Sequence, residues 1–390
     1  MRTRLCVWPV LAYLVLALTL DSATSNWLQG LFGRFRPGGG RGRTRLDDAV
    51  VGAGLRNLGN TCYLNSVLQG LYHVREFRDR VIRSEFSRSS AGWELQRVFR
   101  DLSASASSGG RATDPFSLVQ KLDINVAIQE DAQEFYLRLL NLIDGDAASP
   151  LADGTKVSQL FSGETEQTIK CVAVDYQSSK KQKFLDLSLD ATIADDVDGA
   201  IQLLFRYVLF LPRSVLRCTS KTKPVLISTP RTTSLSEKDE IEGYKTPAHG
   251  RQNAERTTAL VKLPRALCLH LKRFNFDPDL MAITKVGKRI SFPFALDLSE
   301  IVPALLRSKP ATYELASVVV HEGTATTGHY VCFARPDIEK APQKWIKLDD
   351  QSVSQVTEET MRNAAFGGIE NLPFSGGASR NAYMLFYVMR

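Results

Sequence analysis

Glycosylation acceptors are missing from this 390-residue sequence: no asparagine stands two places before a serine or threonine. Cysteine is sparse, six residues scattered along the chain. Cys268 in "ALCLHL" and Cys332 in "HYVCFA" lie in apolar, strand-like runs, not in loops that a disulfide framework would staple. Both features lean toward a reducing compartment. No internal repeat is visible. With 44% hydrophobic and 23% charged residues, the composition excludes disordered, collagenous and multi-span membrane classes. The length suggests about two domains, or one large domain with subdomains. The net charge is +7, yet seven arginines against three aspartates place +4 of it in residues 1–50. The remainder is only mildly basic, so no nucleic-acid partner is expected, although "RPGGGRGRTR" by itself has the composition to touch RNA or acidic lipid.

One long apolar run is present, Leu5 to Leu20, behind Arg2 and Arg4. It is short for a bilayer span of roughly 20 residues, and "ATS" ending at Ser25 suits a cleaved secretory signal. An uncleaved anchor is the other reading. Five arginines between Gly33 and Leu46 outnumber the two before the run and would keep the body in the cytosol. Residues 1–25 are therefore an anchor or a signal, and 26–50 a Gly/Arg-rich linker.

From there the pattern is helical first. "TCYLNSVLQGLYHV", "GWELQRVFRDL" and "DAQEFYLRLLNLI" place apolar residues three and four apart. After Phe161 it changes to short β-branched or aromatic runs, "QTIKCVAV", "FLDLSL", "TTALVKLP", "ALCLHLKRF", "LASVVVHEG", "HYVCFAR" and "AYMLFYV". Helices followed by strands predict an α+β fold. Between Ser214 and Gly250, a Ser, Thr, Lys and Glu-rich composition predicts a long, partly mobile insertion.

Within "GLRNLGNTCYLNSVLQGLY", Gly59 and Asn60 permit a tight turn, Thr61 suits an N-cap, and Cys62 falls in the first helical turn. That position directs backbone N–H groups at a forming anion, and the Asn57 amide can join them. A thiol there becomes a nucleophile if an imidazole stands beside it. An isolated cysteine, however, more often packs as a small apolar residue. Of the five histidines, His73 ends the same helix and suits its C-terminal dipole, His249 lies in the polar insertion, and His270 alternates with leucines in a strand. His321 and His329 bracket the loop "HEGTATTGHY", where Gly328 lets a substrate backbone come close. Asp349 and Asp350 end the strand "KWIKLDDQSV". A cysteine, a histidine and a carboxylate, each at the edge of a regular element, is what nucleophilic acyl transfer requires. In "QEDAQEFYLRLL", Asp131 and Glu134 also read as N-cap and N3 of a capping box.

These motifs resemble the ubiquitin-specific proteases, papain-like deubiquitinases. The match runs from "GLRNLGNTCYLNSVLQ" through "QEDAQEF" and "LPRALCLHLKRF" to "YELASVVVHEGTATTGHYVCFAR", "WIKLDDQSV" and "AYMLFY". The resemblance implies a papain-like α+β catalytic domain over 51–390, with a helical thumb, a β-rich palm and β fingers at roughly 162–260. It implies Cys62 as nucleophile, His329 as base and then acid, Asp349 as the residue orienting the imidazole, with Asp350 sharing or taking that role, and Asn57 as oxyanion donor. Gln129, Asp131, Glu134, Gly328 and Tyr330 fall at substrate-binding positions, the acidic pair facing the arginines before ubiquitin's terminal glycines. The implied partners are ubiquitin and ubiquitinated proteins.

The family's fingers often hold zinc through two Cys-x-x-Cys pairs. Here those positions carry Cys171, Val174, Thr246 and His249. Valine and threonine cannot replace thiolates, so no zinc and no cofactor is expected. The rival readings are an inert ubiquitin-binding module, whose mark would be a missing nucleophile, histidine or carboxylate, and a protease for a ubiquitin-like modifier. One branch of the family carries an N-terminal anchor and basic flank and sits on the mitochondrial outer membrane facing the cytosol. This chain's layout is similar, and it tips the expectation toward the anchor and away from the cleaved signal.

Overall fold

The computed structural model describes residues 52–107, 111–146, 155–205, 240–299, 301, 311–368 and 379–390. The apolar segment 1–25, the linker 26–50 and positions 214–239 of the expected insertion lie outside these residues. Among the described residues, no helix is long and apolar enough to cross a membrane.

Five helices come first: α1 (Cys62–Tyr72), α2 (Arg75–Arg83), α3 (Ala91–Ser107), α4 (Phe116–Lys121) and α5 (Ala132–Asp146). Every residue of α1 from Cys62 to Leu71 is buried, which places it as a central helix and not a surface one. It packs on α2 and α5 on one side and on three strands of the large sheet on the other. Its internal Asn65, Ser66 and Gln69 each donate a hydrogen bond. Ser66 Oγ donates to Cys62 O at 2.8 Å, Gln69 Nε2 donates to Ala53 O at 2.7 Å, and Asn65 Nδ2 donates to Asp350 Oδ1 at 2.8 Å. Helix α2 escapes sequence reading because, in "REFRDRVIR", only Phe77 and Val81 are buried. His73 caps α1, but its Nδ1 donates to Gln69 O at 2.8 Å and burial lowers its pKa to about 4. It is neutral at pH 7, so it serves the helix end by hydrogen bonding, not by charge as expected.

The strands follow. β1 (Gly163–Cys171), β2 (Gln177–Phe184), β4 (Glu240–Thr246) and β5 (Gly250–Lys262) form an antiparallel sheet in the order β2-β1-β5-β4. This is the finger sheet, and it reclaims residues 240–250 from the expected insertion. β3 (Leu187–Asp190) and helix α6 (Val197–Phe205) fall inside the expected finger range, yet β3 pairs with β6 (Ala266–Lys272) in the other sheet. The chain continues through a hairpin, β7 (Phe274–Asp277) and β8 (Ala282–Lys285), a short β9 (Ala295–Asp297), β10 (Thr312–Gly323), β11 (Gly328–Ala334), β12 (Trp345–Asp349), β13 (Ser352–Val356), helix α7 (Glu358–Ala365) and β14 (Ser379–Met389). The hairpin pairs only with itself. The strand order of the large sheet is β13-β12-β11-β10-β14-β6-β3, with β9 also on β10.

This sheet is buried on both faces. Along β6, Ala266 and Cys268 join the core under the helical thumb, while Leu267, Leu269 and Leu271 join a second core covered by α6 and α7. Two-sided burial is why the palm strands read as continuous apolar runs. In the thumb core, Tyr136 stands edge-on to Phe161 at 5.7 Å and to Phe386 at 5.8 Å, contacts worth about 0.5–1.5 kcal/mol each beyond area burial. The outcome for α1 is positional: its N-terminus sits over the β11 and β12 ends of the sheet.

Candidate active site

The turn before α1 is built around Asn57. Its Oδ1 accepts from Gly59 N at 3.0 Å, from Thr61 N at 3.3 Å and from Thr61 Oγ1 at 3.0 Å. Gly59 has a φ of +143°, and a Cβ there would lie 2.5 Å from Val126 O, so only glycine fits. Thr61 was expected as a side-chain N-cap. Instead its hydroxyl turns back to Asn57 and accepts from Leu58 N, leaving the first helical N–H groups uncapped by it. Cys62 opens the helix with 4% of its surface exposed.

His329 is the second residue of β11, and it faces both Cys62 and Asp349. Its Nε2 donates to Asp349 Oδ1 at 2.8 Å, which leaves Nδ1 as the nitrogen for the sulfur. Its pKa is raised to about 9, first by hydrogen bonding with the Cys62 side chain and then by Asp349, against the opposing effect of burial. Burial also opposes the charge of Asp349. Hydrogen bonds from Lys347 and His329 outweigh it and hold the carboxyl below its ordinary range. Lys347 Nζ donates to the other oxygen, Oδ2, at 2.8 Å. Asp349 is thus a bridge between a cation and the imidazole. His321, the other histidine of the loop, is packed at 5.2 Å from the Phe274 ring and 4.6 Å from the Tyr330 ring. Burial, with Lys285 and His329 nearby, lowers its pKa to about 3, so it is neutral and enclosed.

Asp349 and Asp350, left unranked by sequence, do different things. Asp350, with φ +49°, hydrogen-bonds the cysteine turn and not the imidazole. Its Oδ2 accepts from Asn57 Nδ2 and its Oδ1 from Asn65 Nδ2, each at 2.8 Å, while its carbonyl accepts from Leu55 N. The Asn57 amide has two hydrogens, and Asp350 takes one of them. Asp350 therefore ties the cysteine turn to the strand carrying the carboxylates.

The substrate-side residues divide. Asp131 caps α5: Oδ1 accepts from Gln133 N at 2.8 Å and from Glu134 N at 3.1 Å, and Oδ2 accepts from the Tyr383 hydroxyl. The capping role holds for Asp131. Glu134 is exposed on the same turn, and Gln129 is half-buried just before it. Asp131 and Glu134 border a cavity of about 250 Å³ that His270, Lys272, Arg273 and Tyr383 also line. Gly328 needs its missing side chain for an internal reason, because a Cβ would lie 2.2 Å from His321 Nε2. Tyr330 departs from expectation. It is 2% exposed, its ring lies 5.8 Å from that of Tyr383, and it belongs to the core, not to an open binding surface.

At the zinc positions of the fingers, Thr246 Oγ1 donates to Gly250 O at 3.0 Å and accepts from His249 N at 2.9 Å, closing the β4–β5 turn. Cys171 is buried at the end of β1. Cross-strand pairs Glu164 with Lys183 and Glu166 with Lys181 add support between β1 and β2, at about 0.2–1 kcal/mol each. Elsewhere, His329, Asp349 and Asp350 present donor atoms within 4.8 Å of one another. Lys347, Asn57 and Asn65 already surround those carboxylates with N–H groups, a setting that disfavours a cation.

Sequence reasoning missed Lys347 and Asn65. Lys347 lies two places before Asp349, on the same face of a strand. Asn65 had a signal: a polar residue one turn after Cys62 on a wholly buried helix.

Comparison with known proteins converges on this geometry. The family profile described as ubiquitin carboxyl-terminal hydrolase matches residues 53–387. The chain is 31% identical over 363 residues to ubiquitin C-terminal hydrolase 12 of Arabidopsis thaliana, covering 86% of this chain and 29% of that protein. It is 30% identical to ubiquitin carboxyl-terminal hydrolase 7 of Drosophila melanogaster, covering 86% and 27%. It is 28% identical to ubiquitin carboxyl-terminal hydrolase 15 of Schizosaccharomyces pombe, covering 86% and 28%. The chain thus spans less than a third of the length of these relatives. A profile spanning nearly the whole described body, with the cysteine and histidine motifs inside it, establishes that the chain belongs to the ubiquitin carboxyl-terminal hydrolase family.

Proposed function

We propose that this chain is a thiol isopeptidase that hydrolyses the bond after the C-terminal glycine of ubiquitin. One observation carries the reading: Cys62, first residue of a buried helix, faces an imidazole held from behind by Asp349. An imidazole with so strong a hold on a proton takes it from the thiol as the sulfur attacks the glycine carbonyl, and keeps it until the lysine amine leaves. The tetrahedral oxyanion forms beside the uncapped N–H groups of α1 and the remaining Asn57 hydrogen, donors of a kind worth about 100–1000-fold in rate. Water then hydrolyses the thioester with His329 as base.

Substrate class follows from access. A nucleophile with 4% of its residue surface exposed accepts a tail that has no side chains next to the scissile bond, which a diglycine terminus provides. Exposed Glu134, beside the cavity that Asp131 also borders, suits the basic residues preceding it. Cleavage of a fluorogenic ubiquitin C-terminal substrate tests the reading. Turnover abolished by Cys62→Ala supports it, and binding without turnover contradicts it.

For location we propose a membrane anchor with the catalytic body facing the cytosol, on the mitochondrial outer membrane as in the similar family branch. The apolar run Leu5 to Leu20 and its arginine flank support it. Mass spectrometry of the natural N-terminus tests it, and a chain beginning near Asn26 contradicts it.

A further inference from the structure

Lys285, the last residue of β8, places its ammonium group against backbone oxygen alone. Its Nζ donates to His321 O at 3.1 Å, Gly323 O at 3.1 Å and Ser379 O at 2.6 Å. An ammonium has three N–H bonds, and these three carbonyls use all of them. They come from two segments, the end of β10 and the first residue of β14, and the lysine comes from a third, the β7–β8 hairpin. None of the ion pairs among the described residues includes Lys285. The charges that act on it are Arg273, which precedes β7, and Glu322 on β10, and Glu322 is engaged by Arg380 of β14 at 2.6 Å. The His321 ring, also on β10, is neutral.

The clamped carbonyls lie where the active-site histidine begins. Gly323 pairs with Gly328 and Glu322 with His329 across the β10–β11 ladder. Between them runs the turn 324–327, closed by Thr324 N on Thr327 O at 2.8 Å. His329 is therefore one pair from the end of its strand, where a ladder frays first. Fixing Gly323 O and His321 O from outside the ladder stiffens that end. We propose that Lys285 is a positioning residue that holds the start of β11, and through it the His329 imidazole, in line between Cys62 and Asp349. This inference deepens the hydrolase reading and rests on it for its functional meaning.

The electrostatics agree with a role other than bulk stability. Burial, and then the Arg273 charge, lower the Lys285 pKa to about 7, with Glu322 opposing. Below that pH the chain keeps a desolvated cation that does not help it fold, since the unfolded chain holds the same proton more firmly up to the ordinary lysine range. What the cation does provide is three simultaneous, directed hydrogen bonds at one end of one strand.

Lys285→Gln removes the charge and keeps a donor, and Lys285→Arg keeps the charge. Two measurements apply to each variant and to wild type. One is the rate of Cys62 alkylation by iodoacetamide at pH 6, followed by peptide mass spectrometry. The other is kcat and KM on a fluorogenic ubiquitin substrate. Lys285→Gln is expected to lower alkylation and kcat about tenfold with KM within about twofold, because an imidazole displaced by a fraction of an ångström loses its line to the sulfur. Lys285→Arg is expected to recover most of both. A folded Lys285→Gln alkylated at the wild-type rate overturns the proposal. So does a variant that fails to fold, or whose two rates fall only with its unfolded fraction, since Lys285 is then merely structural. Lys285-dependent alkylation in a chain that hydrolyses nothing supports the positioning role while contradicting the proposed activity.

Discussion

Asp350 accepts a 2.8 Å hydrogen bond from Asn57, 293 positions earlier in the chain, and another from Asn65, 285 positions earlier. That link closes the distance between the cysteine turn and the histidine strands. The neighbouring Asp349 has the other task, holding His329. The two carboxylates should therefore separate under mutation. Asp350→Asn sets an NH2 group where one of the two accepting oxygens stands, facing the donor of Asn57 or Asn65, and is expected to lower stability by about 1.5–3 kcal/mol in urea unfolding. Asp349→Asn is expected to lower the urea midpoint through the lost His329 and Lys347 contacts and, unlike Asp350→Asn, to lower kcat by about 100-fold or more.

The His329 pKa of about 9 depends on its neighbours. A histidine raised in this way contributes stability that is fully present below its unfolded value near 6.5 and is lost as pH rises through about 9. In Cys62→Ala the largest raising influence is gone, so an NMR titration is expected to find the His329 pKa lower than in wild type. Asp349→Asn should lower it as well. Titrations of His329 that coincide in all three proteins would contradict this assignment.

Asp131 and Glu134 share a turn but not a role. Glu134→Ala is expected to raise KM for a ubiquitin substrate about tenfold without moving the thermal midpoint, since the side chain is exposed. Asp131→Ala removes a helix cap and is expected to cost about 1 kcal/mol in addition. Steady-state kinetics beside thermal unfolding separate the two.

Gly328 adjoins the His321 ring, and a methyl group there would lie 2.2 Å from Nε2. Gly328→Ala must move either the enclosed ring or the strand that carries His329. A drop in kcat of more than about tenfold is expected, with KM little changed. Wild-type turnover would show that the ring yields freely.

If sheet pairing holds the fingers together, prolonged exposure to a chelator leaves both hydrolysis and the thermal midpoint unchanged. Loss of either on chelation, restored by zinc, would contradict the reading of Val174 and Thr246 as non-ligands.

Much of this arrangement was legible in the sequence because its pieces are local. Cys62 after a Gly-Asn turn, the apolar periodicity of α1, α3 and α5, and the two-faced apolar strands each announce themselves within a dozen residues. The α+β order followed from them. What escaped was long-range or polar. Helix α2 buries only two side chains, and β2, with its exposed "SSKKQK", shows no apolar alternation. Asp349 and Asp350 are adjacent and chemically equal, and the turn that leaves β12 at Asp350, with its left-handed backbone, gives their side chains different partners. Tyr330, a substrate-binding position by the family resemblance, follows His329 on the opposite face of the strand and lies in the core.

The central claim is that one sulfur reacts at the end of a ubiquitin tail. Among the described cysteines, Cys171, Cys268 and Cys332 are buried, and burial raises the pKa of Cys268 and Cys332. Of the four described cysteines, it is Cys62 whose side chain hydrogen-bonds the His329 imidazole. Incubation with ubiquitin bearing a C-terminal electrophile, followed by peptide mass spectrometry, should give one adduct, on Cys62, formed far more slowly in His329→Ala. Folded wild-type protein that stays unmodified, or that reacts at a different cysteine, would contradict the account.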